Sequence, residues 1–238
     1  MQAHKGAITD GGQIGLTSRI AGGIETYLRL GSGKHAACKN DLLQGLTGLS
    51  RDECIEQAYF FRTLRERVQS ENAAQDALRH SVLAFLLGRE DSCRRSCVPG
   101  HITASALVVA DAGDQVLLTL HPRLGRWVQL GGHCEDADTG IVAAALREAT
   151  EESGVAGLRI DPDLGAIHVH PVTCSLGVPT RHLDLQFIAR APADADIAIS
   201  DESLDLQWWP VQELPGGTDA ALAHLVAIAR ARTQMSEE

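Results

Sequence analysis

Three glutamates on one short segment carry the clearest chemistry in this sequence. Glu148, Glu151 and Glu152 are spaced so that a helix would place all three carboxylates on one face. An apolar stripe at helical spacing runs beside them and consists of Val142, Ala145, Leu146 and Ala149. Like charges at this spacing repel each other, and the last turns of a helix already carry partial negative charge. A cation bound on that face would remove this cost.

A hard divalent ion is the cation that suits three clustered carboxylates. Mg²⁺ takes oxygen ligands and keeps water and substrate phosphates in its shell. The segment therefore predicts a Mg²⁺ site for phosphate chemistry, with Mn²⁺ as the alternative ion. The competing interpretation is a solvated acidic surface, because charge runs usually lie at the surface. Arg147 is the one basic residue of this segment and is placed to pair with Glu151.

The helix that carries these residues has recognisable start and stop signals. A paired-glycine turn at 131 and 132 leads into a polar loop, and Asp138 or Thr139 is placed to cap the helix. The helix should end at Ser153, with Gly154 in the left-handed conformation that ends many helices.

The same residues resemble the signature of the Nudix hydrolases, G-x5-E-x7-R-E-U-x-E-E-x-G-U, in which U is apolar. Residues 147–155 match this signature at every fixed position. The first half departs twice, because Asp138 stands where the family has glutamate and one extra residue precedes Arg147. The role of Asp138 is therefore open. The resemblance covers residues 98–233 and implies an α/β/α sandwich with a mixed sheet.

The resemblance implies Mg²⁺-dependent hydrolysis of a nucleoside diphosphate linked to another moiety, either ADP-ribose-like or another nucleotide. Glu148, Glu151 and Glu152 match the family's metal-binding and base positions, with Glu152 the first choice for a direct ligand. The carbonyl of Gly131 matches a backbone ligand. Arg147 matches an arginine that orients a carboxylate, a role that suits its fork of donors and its permanent charge.

Other candidate residues lie outside that segment. Many family members take one more metal ligand from a late loop, and Glu202 in the pair 201–202 is the best candidate. The expected contacts to the substrate are His133, His182, Asp184 and Trp127.

Two further functions are kept as alternatives. Histidine after paired glycines also occurs in isopentenyl-diphosphate isomerase, in which histidines hold a metal; His133 and His101 match such positions, but Cys134 is displaced from the place of the catalytic cysteine. The second alternative is a non-catalytic regulatory module that binds nucleotides. For His168 and His170, as for His182, ordinary strand or pocket histidines are the default interpretation.

The composition restricts the partners. The chain has 21 basic and 31 acidic residues and a net charge of −10, which disfavours binding to nucleic acids or to membrane surfaces. The longest apolar runs are too short for a membrane span, and the N-terminus lacks the apolar core of a signal peptide. We therefore expect a cytoplasmic protein that acts on a small phosphorylated substrate. Its cysteines are expected to be thiols, and a partial zinc motif at Cys93, Cys97 and His101 is the disfavoured alternative.

The chain divides into three parts by pattern. Residues 1–50 are rich in glycine and predict a loosely ordered extension. Residues 51–88 predict a helical segment whose apolar face packs either on the following domain or on a second subunit, which would make a homodimer. Residues 98–235 predict the Nudix domain, with strands at 102–110, 115–120, 127–130, 166–172, 182–190 and 204–209 and a last helix capped by Thr218.

Overall fold

The computed structural model describes residues 73–89, 91–174 and 177–235. Within these ranges the chain forms three helices and seven strands, which are α1 (Ala73–Gly88), β1 (His101–Val109), β2 (Gln115–His121), β3 (Arg126–Val128), β4 (Leu130–His133), α2 (Ile141–Ser153), β5 (Arg159–Thr173), β6 (Pro179–Arg190), β7 (Asp205–Pro210) and α3 (Ala220–Met235). The extension predicted at 1–50 and the helix start predicted near residue 51 lie outside these ranges.

All seven of these strands belong to one mixed sheet. Its main path is β3-β2-β1-β6-β5, and β4 also pairs with β1 while β7 also pairs with β2. The central pair, β1 and β6, is parallel, whereas the other pairs are antiparallel. The parallel register sets His101 opposite His182 and Thr103 opposite Asp184. Polar side chains from the starts of both strands are thereby brought together.

Helices cover both faces of the sheet, as the predicted α/β/α sandwich requires. The alternation along β1 sends Ile102 and Ala104 into one apolar core, where they meet α1 and α2. It sends Leu107 and Val109 into a second core, where they meet α3. Because β1 is apolar toward both faces over its second half, it reads in the sequence as an almost continuous apolar run.

Helix α1 packs on the domain that follows it in sequence. Val82 and Leu86 are buried in the same core as α2. Gln75 is bonded to the backbone of Ile167 in β5 through both ends of its amide, donating at 3.1 Å and accepting at 2.8 Å. The side chain thus satisfies backbone groups of a strand at the sheet edge, which otherwise stay unpaired. The part of the predicted helical segment that the structure describes, Ala73–Gly88, therefore packs on the following domain, and the homodimer stays a prediction.

Three local predictions need correction. Helix α2 begins at Ile141 after Gly140, so neither Asp138 nor Thr139 caps it. The paired glycines lie inside strand β4 and not in a turn. Helix α3 is capped by the carboxylate of Asp219, which accepts the Leu222 N–H at 2.9 Å, in place of Thr218.

The predicted end of α2 is confirmed. Gly154 has φ 67°, and its N–H donates to the carbonyl of Thr150. Across the described ranges, the helices lack the length and apolar character needed to cross a membrane.

Candidate active site

A cleft of about 440 Å³ opens where α3 stops covering the sheet. On the α3 face, β1 presents Thr103 and Ser105 before Leu107, and β6 presents Asp184 before Ile188. The apolar residues lie under α3, whereas the polar ones line the cleft. The change from polar to apolar side chains along two neighbouring strands therefore fixes where the cleft ends.

Glu152 enters this cleft from the last turn of α2. The residue is 8% exposed, and one of its carboxylate oxygens accepts the Gly131 N–H at 2.9 Å. Burial is the main cause that raises the pKa of Glu152 to about 8; the bond from Gly131 opposes it, and the nearby Glu148 and Glu202 add to it. Removal of a proton at neutral pH would leave a buried charge without a countercharge.

Glu148 lies one turn earlier, against the second glycine of β4. A Cβ atom placed on Gly132 would lie 2.7 Å from both carboxylate oxygens of Glu148. Gly132 therefore provides the space that this carboxylate occupies. The pKa of Glu148 is also raised, first by burial, although Arg147 lowers it.

Arg147 connects the helix to the loop before it. Its guanidinium donates to both oxygens of Asp138, at 2.9 and 3.0 Å, and to the carbonyl of His133 at 2.9 Å. It also donates to Glu148 at 3.1 Å and to Glu151 at 3.0 Å, and it lies 4.0 Å from a carboxylate oxygen of Glu135. Burial acts to raise the pKa of Asp138, but the hydrogen bonds from Arg147 and from the Glu135 N–H, together with the charge of Arg147, outweigh it and hold that pKa below its usual value. The open question about Asp138 thus has a structural answer, because this residue holds the arginine in place.

The other two acidic candidates differ from each other in exposure and contact. Glu151 has 61% of its side chain exposed and is bonded to Arg147. Glu202 lines the cleft from the loop before β7, and its charge raises the pKa values of Glu148 and Glu152. Glu202 therefore faces the same cleft as Glu152.

A hard divalent cation fits this donor set. All four groups offer carboxylate oxygen, which Mg²⁺ prefers. Burial is the main cause that raises the pKa values of Glu148 and Glu152, and the neighbouring carboxylates add to it; a bound cation would favour the ionised forms. Glu148, Glu151, Glu152 and Glu202 stay the predicted metal ligands. The carbonyl of Gly131 stays a predicted ligand.

Asp184 forms the floor of the cleft and is 4% exposed. It accepts hydrogen bonds from Thr103 at 3.0 Å and Ser105 at 2.7 Å. The amides of Gln129 and Gln186 donate to it at 3.2 and 3.0 Å. With both oxygens engaged by the protein, Asp184 shapes the cleft and offers a substrate few remaining acceptor positions.

The predicted substrate contacts His133 and His182 belong to a cluster at the cleft wall. His101 and His133 approach with their Nε2 atoms 3.2 Å apart, and the thiol of Cys174 lies 3.4 Å from His133 Nε2. The ring of His182 lies 5.0 Å from those of His101 and His133, between centroids. Burial lowers the pKa of His133 to about 4 and that of His182 to about 3, with neighbouring cations and imidazoles adding to the effect.

Sequence reasoning paired His133 with His101 only in the isomerase alternative, and it did not single out Cys174. It placed His101 with Cys93 and Cys97 in the disfavoured zinc motif, whereas the structure groups His101 with His133, Cys174 and His182. Cys93 and Cys97 are present as thiols and lie outside this group. The available signal was the position of Cys174 and His182 at adjacent ends of two strands that pair as a hairpin.

Trp127 does not line the cleft. Its neighbours Arg126 and Val128 do, whereas the Trp127 side chain lies opposite theirs on β3 and packs in the second core, away from the cleft opening. Its ring meets Trp209 edge-on, with 5.3 Å between centroids. The alternation of side chains along a strand explains this placement.

A family model and several solved structures match this chain. The model described as NUDIX domain matches residues 99–228, which is more than half of the chain. A MutT protein from Methanosarcina mazei Go1 is 18% identical, with a TM-score of 0.44, and the match covers 60% of this chain and 99% of that one. A NUDIX family hydrolase from Clostridium perfringens is 24% identical, with a TM-score of 0.42 and coverage of 57% and 97%.

A third similar structure is an Ap4A hydrolase from C. elegans in a binary complex. It is 20% identical, with a TM-score of 0.42, and the match covers 57% of this chain and 97% of that one. No curated protein matches the sequence.

Proposed function

We propose that this chain, which belongs to the Nudix family and is a hydrolase of pyrophosphate bonds, cleaves a nucleoside diphosphate linked to a second moiety in a reaction that depends on Mg²⁺. The observation that carries the proposal is the carboxylate of Glu152, which is 8% exposed, lines the cleft together with Glu202 and accepts the Gly131 N–H at 2.9 Å. Nudix hydrolases act with divalent metal ions, and the oxygen donors of this site favour Mg²⁺ among them.

The residues of the site divide into groups with different tasks. Glu148, Glu152 and Glu202 would hold the metal, with Glu151 as the more exposed member. A bound divalent ion supplies charge neutralisation at the phosphoryl oxygens and activation of water. The carboxylate of Glu148 lies close to strand β4 because Gly132 has no side chain. Oriented by Arg147, this carboxylate would accept a proton from the attacking water.

Basic side chains across the cleft suit a substrate with a diphosphate. Arg95, Arg123 and Arg126 line the cleft together with the acidic residues. The Nε of Arg126 is buried and has no hydrogen-bond partner among the described residues. A phosphate oxygen would satisfy this donor, because guanidinium groups bind phosphates through several N–H bonds. The cleft volume of about 440 Å³ lies in the usual range for small-molecule sites.

A substrate panel with one matched variant tests the proposal. Wild type and Glu152→Gln, purified identically, are incubated with Mg²⁺ and with ADP-ribose, diadenosine polyphosphates, nucleoside triphosphates and isopentenyl diphosphate. We expect wild type to release phosphate esters from at least one nucleotide conjugate, and the variant to lose at least about 100-fold in kcat. Equal turnover by both proteins would refute the site.

The same panel separates the alternatives. Isomerised isopentenyl diphosphate without hydrolysis of any nucleotide would favour the isomerase, and tight nucleotide binding without turnover would favour a regulatory module. The same substrate panel should also be run with Mn²⁺ in place of Mg²⁺, since both ions take carboxylate ligands.

A further inference from the structure

Four nitrogen and sulfur donors converge where four strands of the sheet meet. His101 is the first residue of β1, His133 the last of β4, and His182 lies near the start of β6, while Cys174 follows β5 directly. One donor atom from each residue lies within 4.8 Å of all the others. Residues far apart in sequence are thus brought together by strand pairing.

The distances among His101, His133 and Cys174 are close to those of a tetrahedral zinc site. Zinc bonds nitrogen at about 2.0–2.1 Å and sulfur at about 2.3 Å, so tetrahedral angles separate two nitrogens by about 3.3 Å and nitrogen from sulfur by about 3.6 Å. The two Nε2 atoms of His101 and His133 are 3.2 Å apart. The Cys174 sulfur lies 3.4 Å from His133 Nε2 and 3.9 Å from His101 Nε2.

Two of the histidines have a ring nitrogen that is available to bind a metal. The His101 Nδ1 faces the carbonyl of Cys97 at 3.3 Å, and because a carbonyl only accepts, this bond leaves Nε2 as a lone pair directed into the cluster. The Nε2 of His182 is buried and has no hydrogen-bond partner among the described residues. Such an unsatisfied buried group is costly unless something binds it.

We propose that His101, His133, Cys174 and His182 bind one zinc ion, as a second metal site distinct from the carboxylate site that we propose for Mg²⁺. Three imidazoles and a thiolate suit zinc or another borderline divalent ion and do not suit Mg²⁺, which requires oxygen. With all four positions filled by protein, the ion ties together the ends of β1, β4, β5 and β6.

Arg95 must release His133 when the ion binds. Its guanidinium lies 3.1 Å from His133 Nδ1 and can only donate, so this contact places the proton of a neutral His133 on Nε2. Coordination through Nε2 moves that proton to Nδ1. Arg95 is exposed and can turn away into solvent.

The zinc site and the carboxylate site share strand β4. His133 follows Gly132 directly, and its carbonyl accepts a hydrogen bond from Arg147 at 2.9 Å. A zinc ion bound to His133 would therefore fix the end of β4, which Glu148 and Arg147 contact. The zinc would act as a positioning ion for these two residues.

Metal content and cobalt spectra of the full-length chain test this site. The protein is stripped with a chelator, reloaded with Zn²⁺ or Co²⁺ and desalted. We expect one tightly held ion per chain, intense visible bands of tetrahedral Co²⁺ and a thiolate-to-cobalt charge-transfer band. Cys174→Ser should lose the charge-transfer band, and His182→Asn should weaken Zn²⁺ binding at least about 100-fold.

Matched variants make the result specific. Cys93→Ser and His168→Asn change the same residue types outside the group and should keep one ion, with circular dichroism to verify folding of every variant. Arg95→Gln should tighten Zn²⁺ binding several-fold. The proposal is overturned if folded wild type retains no Zn²⁺, or if Cys174→Ser keeps the charge-transfer band.

Glu152→Gln separates this inference from the proposed function. That variant should lose hydrolysis while it retains its zinc and its cobalt spectrum. A Glu152→Gln protein that lost its zinc as well as its hydrolytic activity would contradict the distinction between the two metal sites.

Discussion

Arg147 holds Asp138 in a two-point contact across the loop that precedes helix α2. The bonds measure 2.9 Å from Nε and 3.0 Å from Nη2, and the Asp138 side chain is only 7% exposed. Planar fork geometry of this kind is available to arginine and not to lysine. The pair fixes the arginine whose other donors reach Glu148 and the His133 carbonyl.

Arg147→Lys is therefore predicted to lower both stability and activity. The variant keeps the charge but loses the two-point bond, and Asp138 is left poorly satisfied. We expect a loss of about 2–3 kcal/mol in the free energy of unfolding, somewhat below the cost of breaking a fully buried pair. Urea denaturation measures this loss, and Arg159→Lys, at a surface pair 3.7 Å apart, is the control that should change little.

The acidic residues are predicted to rank in importance by burial. Glu152→Gln should reduce kcat by at least about 100-fold, because this carboxylate faces the cleft and has no side-chain countercharge. Glu151→Gln should reduce it by less than about tenfold, since 61% of that side chain is exposed. Steady-state kinetics with saturating Mg²⁺ gives the comparison. A larger loss for Glu151 than for Glu152 would reverse our assignment of ligands.

Alanine substitutions at the two neighbouring glycines of β4 are predicted to differ in their effect on stability. A Cβ on Gly131 would lie 2.6 Å from the Ala104 carbonyl oxygen and would also clash with Ser105, so Gly131→Ala should cost about 2 kcal/mol or more of stability. A Cβ on Gly132 meets the mobile end of Glu148, so Gly132→Ala should cost less than about 1 kcal/mol.

The activity of the Gly132→Ala variant is the informative measurement. Displacement of the Glu148 carboxylate should lower kcat by about 100-fold, as expected when a reacting group is misplaced by about 1 Å. A folded Gly132→Ala protein with normal kcat would show that catalysis does not depend on the position of the Glu148 carboxylate in this structure.

Metal-free protein is predicted to lose stability as the pH rises from 7 to 9. The folded-state pKa of Glu152 is about 8, above its usual 4.5, so the folded state retains a proton that the unfolded chain has released. This contribution is fully present below pH 4.5 and disappears as the pH rises through 8. The expected loss between pH 7 and 9 is roughly 1.4 kcal/mol.

Urea denaturation in chelator at several pH values measures this dependence. Glu152→Gln should remove most of it, because the amide does not titrate. Mg²⁺ should reduce it as well, since a cation favours the ionised carboxylate. The opposite slope in wild type, with greater stability at pH 9, would contradict the assigned burial of Glu152.

Gln75 is predicted to attach α1 to the sheet. Gln75→Ala removes two hydrogen bonds to Ile167 and leaves backbone groups of β5 unpaired, so we expect a loss of about 1–2 kcal/mol. Ser81→Ala on the exposed side of the same helix should change stability by less than about 0.5 kcal/mol. Equal effects of the two variants would mean that α1 docks without this contact. On this basis we propose that the folded domain includes helix α1 and does not begin as late as residue 98.

The sequence by itself determined the parts of this protein that depend on local spacing. The stripe beside Glu148 and Glu152 has a period that only a helix satisfies, and Gly154 ends that helix because glycine adopts a positive φ at low cost. The alternation from 182 to 190 likewise fixed which residues of β6 share a face. These features need no knowledge of distant residues, so the pattern sufficed.

Tertiary structure alone decided which distant residues meet. Whether α1 packs on its own domain depends on which surface has room for Val82 and Leu86, and no local pattern contains that information. Trp127 was placed in the cleft by its neighbourhood in sequence, but the direction of its side chain depends on the register of β3 with β2. Cys174 and His101 are 73 residues apart and become neighbours because β1 and β5 both pair with β6.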